Sequence, residues 1–168
     1  MAIFLEFLFY AFLSLIANSG FTVQDVDPED CTGPELKAYK EDCDQWVNFS
    51  AFLARCTASG LDRNYEDPIP YPSRDLENAL EENHGPGLKR DYTILAAAQY
   101  ILLADRTLYE DFIGKAAEGS KRKTWGLKKW PLWNRKFAEA AAEYEANGRT
   151  ELAEATKKAN DKMASYPL

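Results

Sequence analysis

At 168 residues the chain has the length of one domain and can bury a sizeable core. Its composition, 46% hydrophobic and 13% aromatic, excludes a disordered chain. A net charge of −7 sets the molecule as a whole against nucleic acid and anionic membrane.

Residues 2–17, within MAIFLEFLFYAFLSLIANSG, are mostly apolar. Glu6, Tyr10, Ser14 and Asn18 recur at four-residue spacing, which suits a helix sunk in the domain or in a partner. Ala17-Asn18-Ser19 would serve as a cleavage site, yet no Lys or Arg precedes Lys37 and Glu6 interrupts the apolar stretch. The stretch is also shorter than the roughly 20 residues a membrane helix needs. Residues 1–20 are therefore read as an apolar N-terminal helix, with a signal peptide as the alternative and 2–17 as the sole route to a membrane. Residues 21–33 form an acidic linker, and 34–168 a single helical domain.

Thr32 and Glu35 flank Pro34 in the pattern that opens a helix. Trp46, Phe49, Leu53 and Cys56 continue it to a stop at Gly60. Three prolines in DRNYEDPIPYP, residues 62–72, predict a loop, after which Ser73 caps a short helix to about Glu82. HGPG, residues 84–87, breaks the chain again. A helix then starts near Asp91 and carries no charge from Tyr92 to Ala104, the mark of a central helix wrapped by others. It extends, kinked at Asp105-Arg106, to Gly114. After a polar loop, Trp130, Trp133, Phe137 and Ala141 predict a helix ending at Asn147-Gly148. The last helix, from about Thr150, puts Leu152, Ala155, Ala159 and Met163 on one face. No useful strand alternation occurs. The expectation is all-α: an irregular bundle of about six helices around the apolar helix near 91–104.

Three cysteines, an odd count, argue for a reduced, intracellular protein. In a secreted chain Cys31 and Cys43 could bridge, whereas Cys43 and Cys56 lie too far apart along one helix. Asn48-Phe49-Ser50 is a glycosylation sequon placed inside a helix and is read as accidental.

Few residues suggest chemistry. His84 is the single histidine, and no metal-ligand spacing surrounds it. GKAAEGSK, residues 114–121, lacks the Gly-Lys-Ser/Thr order that seats phosphates, and no motif calls for a cofactor. The acidic pairs Glu81-Glu82 and Glu110-Asp111 read as solvated edges. Gln99, in the uncharged run, is read as a buried amide bonded to a neighbouring helix end or loop carbonyl; its alternative is the polar group of a ligand pocket. Residues 115–136 stand out, carrying +7 while the rest of the chain carries −14. There Lys121, Arg122, Lys123, Lys128 and Lys129 interleave with Trp125, a pattern that either keeps a loop wet or docks a partner.

WVNFSAFLARCTASGL (46–61), DLENALEE (75–82), AAAQYILLADRTLYE (96–110), WPLWNRKFAEAAAE (130–143) and TELAEATKKANDKM (150–163) occur in this order. Together they resemble a family of fungal helical proteins, domain of unknown function thirty-six thirty-two, over residues 40–164. The resemblance implies an all-α, intracellular protein and supplies no activity, cofactor or catalytic residue. Where family members often carry His-Ala-Gly, this chain has Leu103-Ala104-Asp105, so no polar site carries over to these positions. The expected function is a non-catalytic domain that binds a protein partner. The alternatives are a small secreted protein, or an enzyme or ligand binder with a pocket near Gln99.

Overall fold

The computed structural model describes residues 32–61 and 70–167. Among them are five α-helices and no strand: α1 (Pro34–Ser59), α2 (Pro70–Glu81), α3 (Leu88–Tyr109), α4 (Lys121–Ala146) and α5 (Thr150–Ala164). The sixth expected helix, in residues 1–20, lies outside the described residues, as does most of the 21–33 linker. The chain divides into two units, one ending at Trp46 and the other running from Val47.

In the first unit, α1 begins as the sequence suggests, with Pro34 in the first turn, where its missing N–H leaves no bond unmade. Within this unit Tyr39 and Cys43 are the buried side chains of α1 among the described residues. Burial, with a smaller contribution from Asp42 and Asp44, pushes the Cys43 thiol up to about 11 despite a hydrogen bond with Tyr39. This cysteine is therefore a packing residue. Cys43 and Cys56 form no disulfide with one another, as their separation along α1 requires.

In the second unit, four helices pack in the cyclic order α2, α3, α5, α4, with α4 closing back on α2. Ala96, Ala97 and Ala98 are all buried, so α3 is enclosed on several sides, as its uncharged run predicts. The bend falls at Ala104 (φ −134°, ψ 16°), one residue before the expected place. Beyond it the chain continues into a π-helical turn, Glu110–Gly114, closed by the Lys115 N–H bonding to the Glu110 carbonyl.

Two expectations are corrected. The helix anticipated from Ser73 starts at Pro70, because prolines at 70 and 72 fall in a first turn that needs no N–H donors. The segment expected to be a loop before Trp130 is helical from Lys121. Ser120 caps it, its hydroxyl accepting from the Lys123 N–H at 3.2 Å. Gly126 and Pro131 inside α4 cost about 1 and 3 kcal/mol respectively. Trp130 and Trp133, both fully buried, outweigh them. Each indole hides roughly 150–250 Å², or on the order of 4–6 kcal/mol. Glycine is also required at 126. A Cβ there would lie 2.9 Å from the Phe112 carbonyl carbon and closer still to its oxygen, so only hydrogen lets the π turn seat on α4.

Helix α4 ends at Ala146 and is capped by Asn147, with Gly148 at φ +69° and the Arg149 N–H reaching the Tyr144 carbonyl at 2.8 Å. In α5 the buried face is Leu152, Thr156, Ala159 and Met163. Thr156 replaces the expected Ala155 because its hydroxyl donates to the Leu152 carbonyl at 2.7 Å and needs no solvent.

Candidate functional site

The end of α2, the link 82–87, the first turns of α3 and the middle of α4 enclose an open cleft of ≈ 610 Å³. Apolar side chains from three helices line part of it: Leu80 from α2, Ile94 from α3 and Ala140 from α4. Charge lines the rest. Arg90 forms a two-pronged ion pair with Glu143, at 2.5 and 2.7 Å. The pair holds Glu143 below the usual carboxylate range and raises Arg90, mainly through these hydrogen bonds. Lys136 pairs with Glu139 at 3.1 Å. Glu81 accepts the Trp133 indole N–H at 2.8 Å and the Lys129 ammonium at 2.6 Å; it is exposed, as expected for Glu81-Glu82, and also an anchored acceptor.

His84 sits on the link, half-buried, its Nε2 2.8 Å from the Asn78 carbonyl oxygen. A carbonyl only accepts, so Nε2 is the donor in this contact. The lining contains no serine, threonine or cysteine to act as a nucleophile. Its cations and carboxylates lean on one another. Such an arrangement can orient a bound group through hydrogen bonds and apolar contact. No group on it is placed as a base against a nucleophile.

Below the cleft, Asp91 is buried and meets Arg149 at 2.5 Å. The Arg90 and Arg149 guanidinium carbons lie 5.8 and 5.6 Å from the Tyr144 ring centre. Cation–π attraction and the two ion pairs thus tie the start of α3 to the end of α4 and the start of α5.

Gln99 lies outside the cleft lining, on α3 beyond Ile94. It is half-buried rather than buried, and its side-chain amide makes no hydrogen bond among the described residues. The polar group that is buried here is its neighbour: the Tyr100 hydroxyl donates to Asp75 Oδ2 at 3.0 Å.

The basic segment is scattered over α4. Lys123 pairs with Glu118, and Lys129 bridges Glu77 and Glu81. Trp125 packs edge-on against Phe112 and Trp133, at 5.0 and 5.4 Å between centroids. Lys121, Leu127 and Lys128 stay exposed on α4, while Arg122 is half-buried. Among the described residues no group of three or more His, Cys, Asp or Glu side chains could hold a metal ion. Nor is any helix among them long and apolar enough to cross a membrane.

Spacing alone did not reveal the cleft. Its defining pair, Arg90 and Glu143, is separated by 53 positions, and the sole hint was the HGPG break between two helices.

The model of the family described as Protein of unknown function (DUF3632) matches residues 15–137, well over half the chain, and the chain belongs to that family. The matched stretch begins earlier than residues 40–164 and stops within α4, so TELAEATKKANDKM falls beyond it. Neither a curated protein nor a solved structure matches the chain.

Proposed function

We propose that this chain is a non-catalytic, intracellular binding module that takes a segment of a protein partner into the cleft formed by α2, α3, α4 and the 82–87 link. One observation carries the reading: an apolar strip of Leu80, Ile94 and Ala140 is bordered by charges already paired with one another. A site built this way offers a closely packed apolar floor and oriented acceptors without a reactive group. Carboxylates outnumber cations along the lining, with Glu81, Glu82, Glu139 and Glu143 against Arg90 and Lys136. The favoured partner segment is therefore apolar with a Lys or Arg. Lys121 and Lys128 are the part of the basic segment still open to a partner's acidic groups.

A photoreactive residue at exposed Asn83 tests this in extract of the native host. A discrete polypeptide adduct is expected, falling by about tenfold when Glu82 and Glu139 are both changed to Lys. Adducts confined to small molecules, or indifferent to charge reversal, would move the assignment to a ligand pocket. N-terminal sequencing of the native protein tests the compartment. A start at Met1 or Ala2 agrees with an intracellular protein, and a start near Ser19 rejects it.

A further inference from the structure

At the other end of α3, the chain's last described residues sit on a shelf of aromatic rings. Helix α5 stops at Ala164 and turns over Ser165, whose hydroxyl donates to the Lys162 carbonyl at 2.7 Å. The Tyr166 ring then stacks on Tyr109, centroids 4.6 Å apart and 23° between planes, and meets the face of Trp130 edge-on at 5.9 Å. Its hydroxyl donates to Asp105 Oδ2 at 2.9 Å. The Tyr109 hydroxyl in turn donates to the Pro167 carbonyl at 2.6 Å. The shelf is itself braced: Tyr109 packs on Trp130, the Trp130 indole N–H donates to the Met163 carbonyl, and Lys162 holds the other oxygen of Asp105.

These contacts read three features of the tail: a flat ring, a hydroxyl on its far edge, and the carbonyl of the following residue. All three reading groups, Tyr109, Trp130 and Asp105, come from α3 and α4. None of the three needs the tail to be continuous with α5. Tyr166 is only half-buried and Pro167 is exposed, so lifting the tail uncovers the Tyr109 and Trp130 rings and leaves the helices themselves in place.

We infer that this shelf is a second docking site, taking a tyrosine-proline segment of a partner protein and covered in the resting chain by Tyr166 and Pro167. The occupant follows from the one already seated. Asp105 and nearby Glu110 select an unmodified tyrosine, because a phosphorylated ring would bring two negative charges onto Asp105. Burial and the bond to Asp105 push the Tyr166 hydroxyl up to about 12, so it remains a donor.

The test uses full chains and the labelled peptide acetyl-Ala-Ser-Tyr-Pro-Leu, followed by fluorescence polarisation. Tyr166→Ala should bind it at least about tenfold more tightly than the parent, whose tail competes at roughly millimolar effective concentration. Adding Tyr109→Phe should weaken that binding by about fivefold, as one hydrogen bond is lost. The phosphotyrosine peptide should bind at least about tenfold more weakly. A folded Tyr166→Ala chain that takes the peptide no better than the parent overturns the inference, and so does indifference to Tyr109→Phe. If Tyr166→Ala does not fold, Tyr166→Phe keeps the ring and should still raise affinity; no gain overturns the proposal equally. Concentration-dependent dimers of the parent that disappear in Tyr166→Phe would make a second copy the occupant and reject a foreign partner.

Discussion

Asp75 lies buried beside Tyr100 and half-shielded by Arg74, whose own side chain is mostly in solvent. Burial lifts its carboxyl above the ordinary aspartate value, and the hydrogen bond from Tyr100 offsets only part of that rise. Between the unfolded and the raised folded value, the native chain keeps a proton that the unfolded chain has released. Stability from this group is thus full below the unfolded value and lost as pH rises through the folded one. Glu143 works the other way. Arg90 lowers it, so its contribution is present above the unfolded value and disappears as pH falls through the folded one. Asp75→Asn keeps an acceptor for Tyr100 and removes the charge. It should flatten the decline in urea-unfolding stability as pH rises above the ordinary aspartate value of about 4, and leave neutral stability equal or up to about 1 kcal/mol higher. A marked loss at neutral pH would show that the charge itself is needed.

At the scale of elements, the closest approach is between the π turn and α4, at Gly126. The nearest group to a new methyl there is the backbone of Phe112, which cannot rotate away. Gly126→Ala should therefore destabilise the fold by about 2–3 kcal/mol in denaturant unfolding, although alanine is the better helix former. The same junction explains what could and could not be read in advance. Helix α3 was legible because a charge-free stretch across Ala96 to Ala98 suits only an enclosed helix. The end of α4 was legible in Asn147-Gly148. The start of α4 was not: Gly126 and Pro131 both argue against helix, and what overrides them is the burial of Trp130 and Trp133 by elements far away in the chain. The pairing of the lysines was hidden for the same reason. Spacing shows Lys123 and Lys129 as a run of positive charge, but not the acids at Glu118, Glu77 and Glu81 that neutralise them. Gln99 was singled out for its apolar setting, while the buried polar contact fell one residue later, on Tyr100.

At the scale of the second unit, one cluster joins three helices. Arg149 answers the buried Asp91 at the start of α3 from the turn between α4 and α5, and the Tyr144 ring sits by both Arg90 and Arg149. Arg149→Met should leave the Asp91 carboxylate enclosed without its ion-pair partner. Arg149 itself is 40% exposed, so the expected loss is about 1–3 kcal/mol, still a sizeable share of the roughly 5–15 kcal/mol that holds a domain together. Thermal unfolding would register it as a marked drop in Tm, and Asp91→Asn in the same chain should recover part of it. A change within error would mean that the cluster is incidental. The buried hydroxyl of Ser50 has a different reach. Attaching an oligosaccharide at the neighbouring Asn48 requires that serine to be presented to the transferase, and in the folded chain it is sealed on the inner side of α1. A sugar found on Asn48 would therefore be a record of the nascent polypeptide's route, written in the lumen of the secretory pathway before the helix closed.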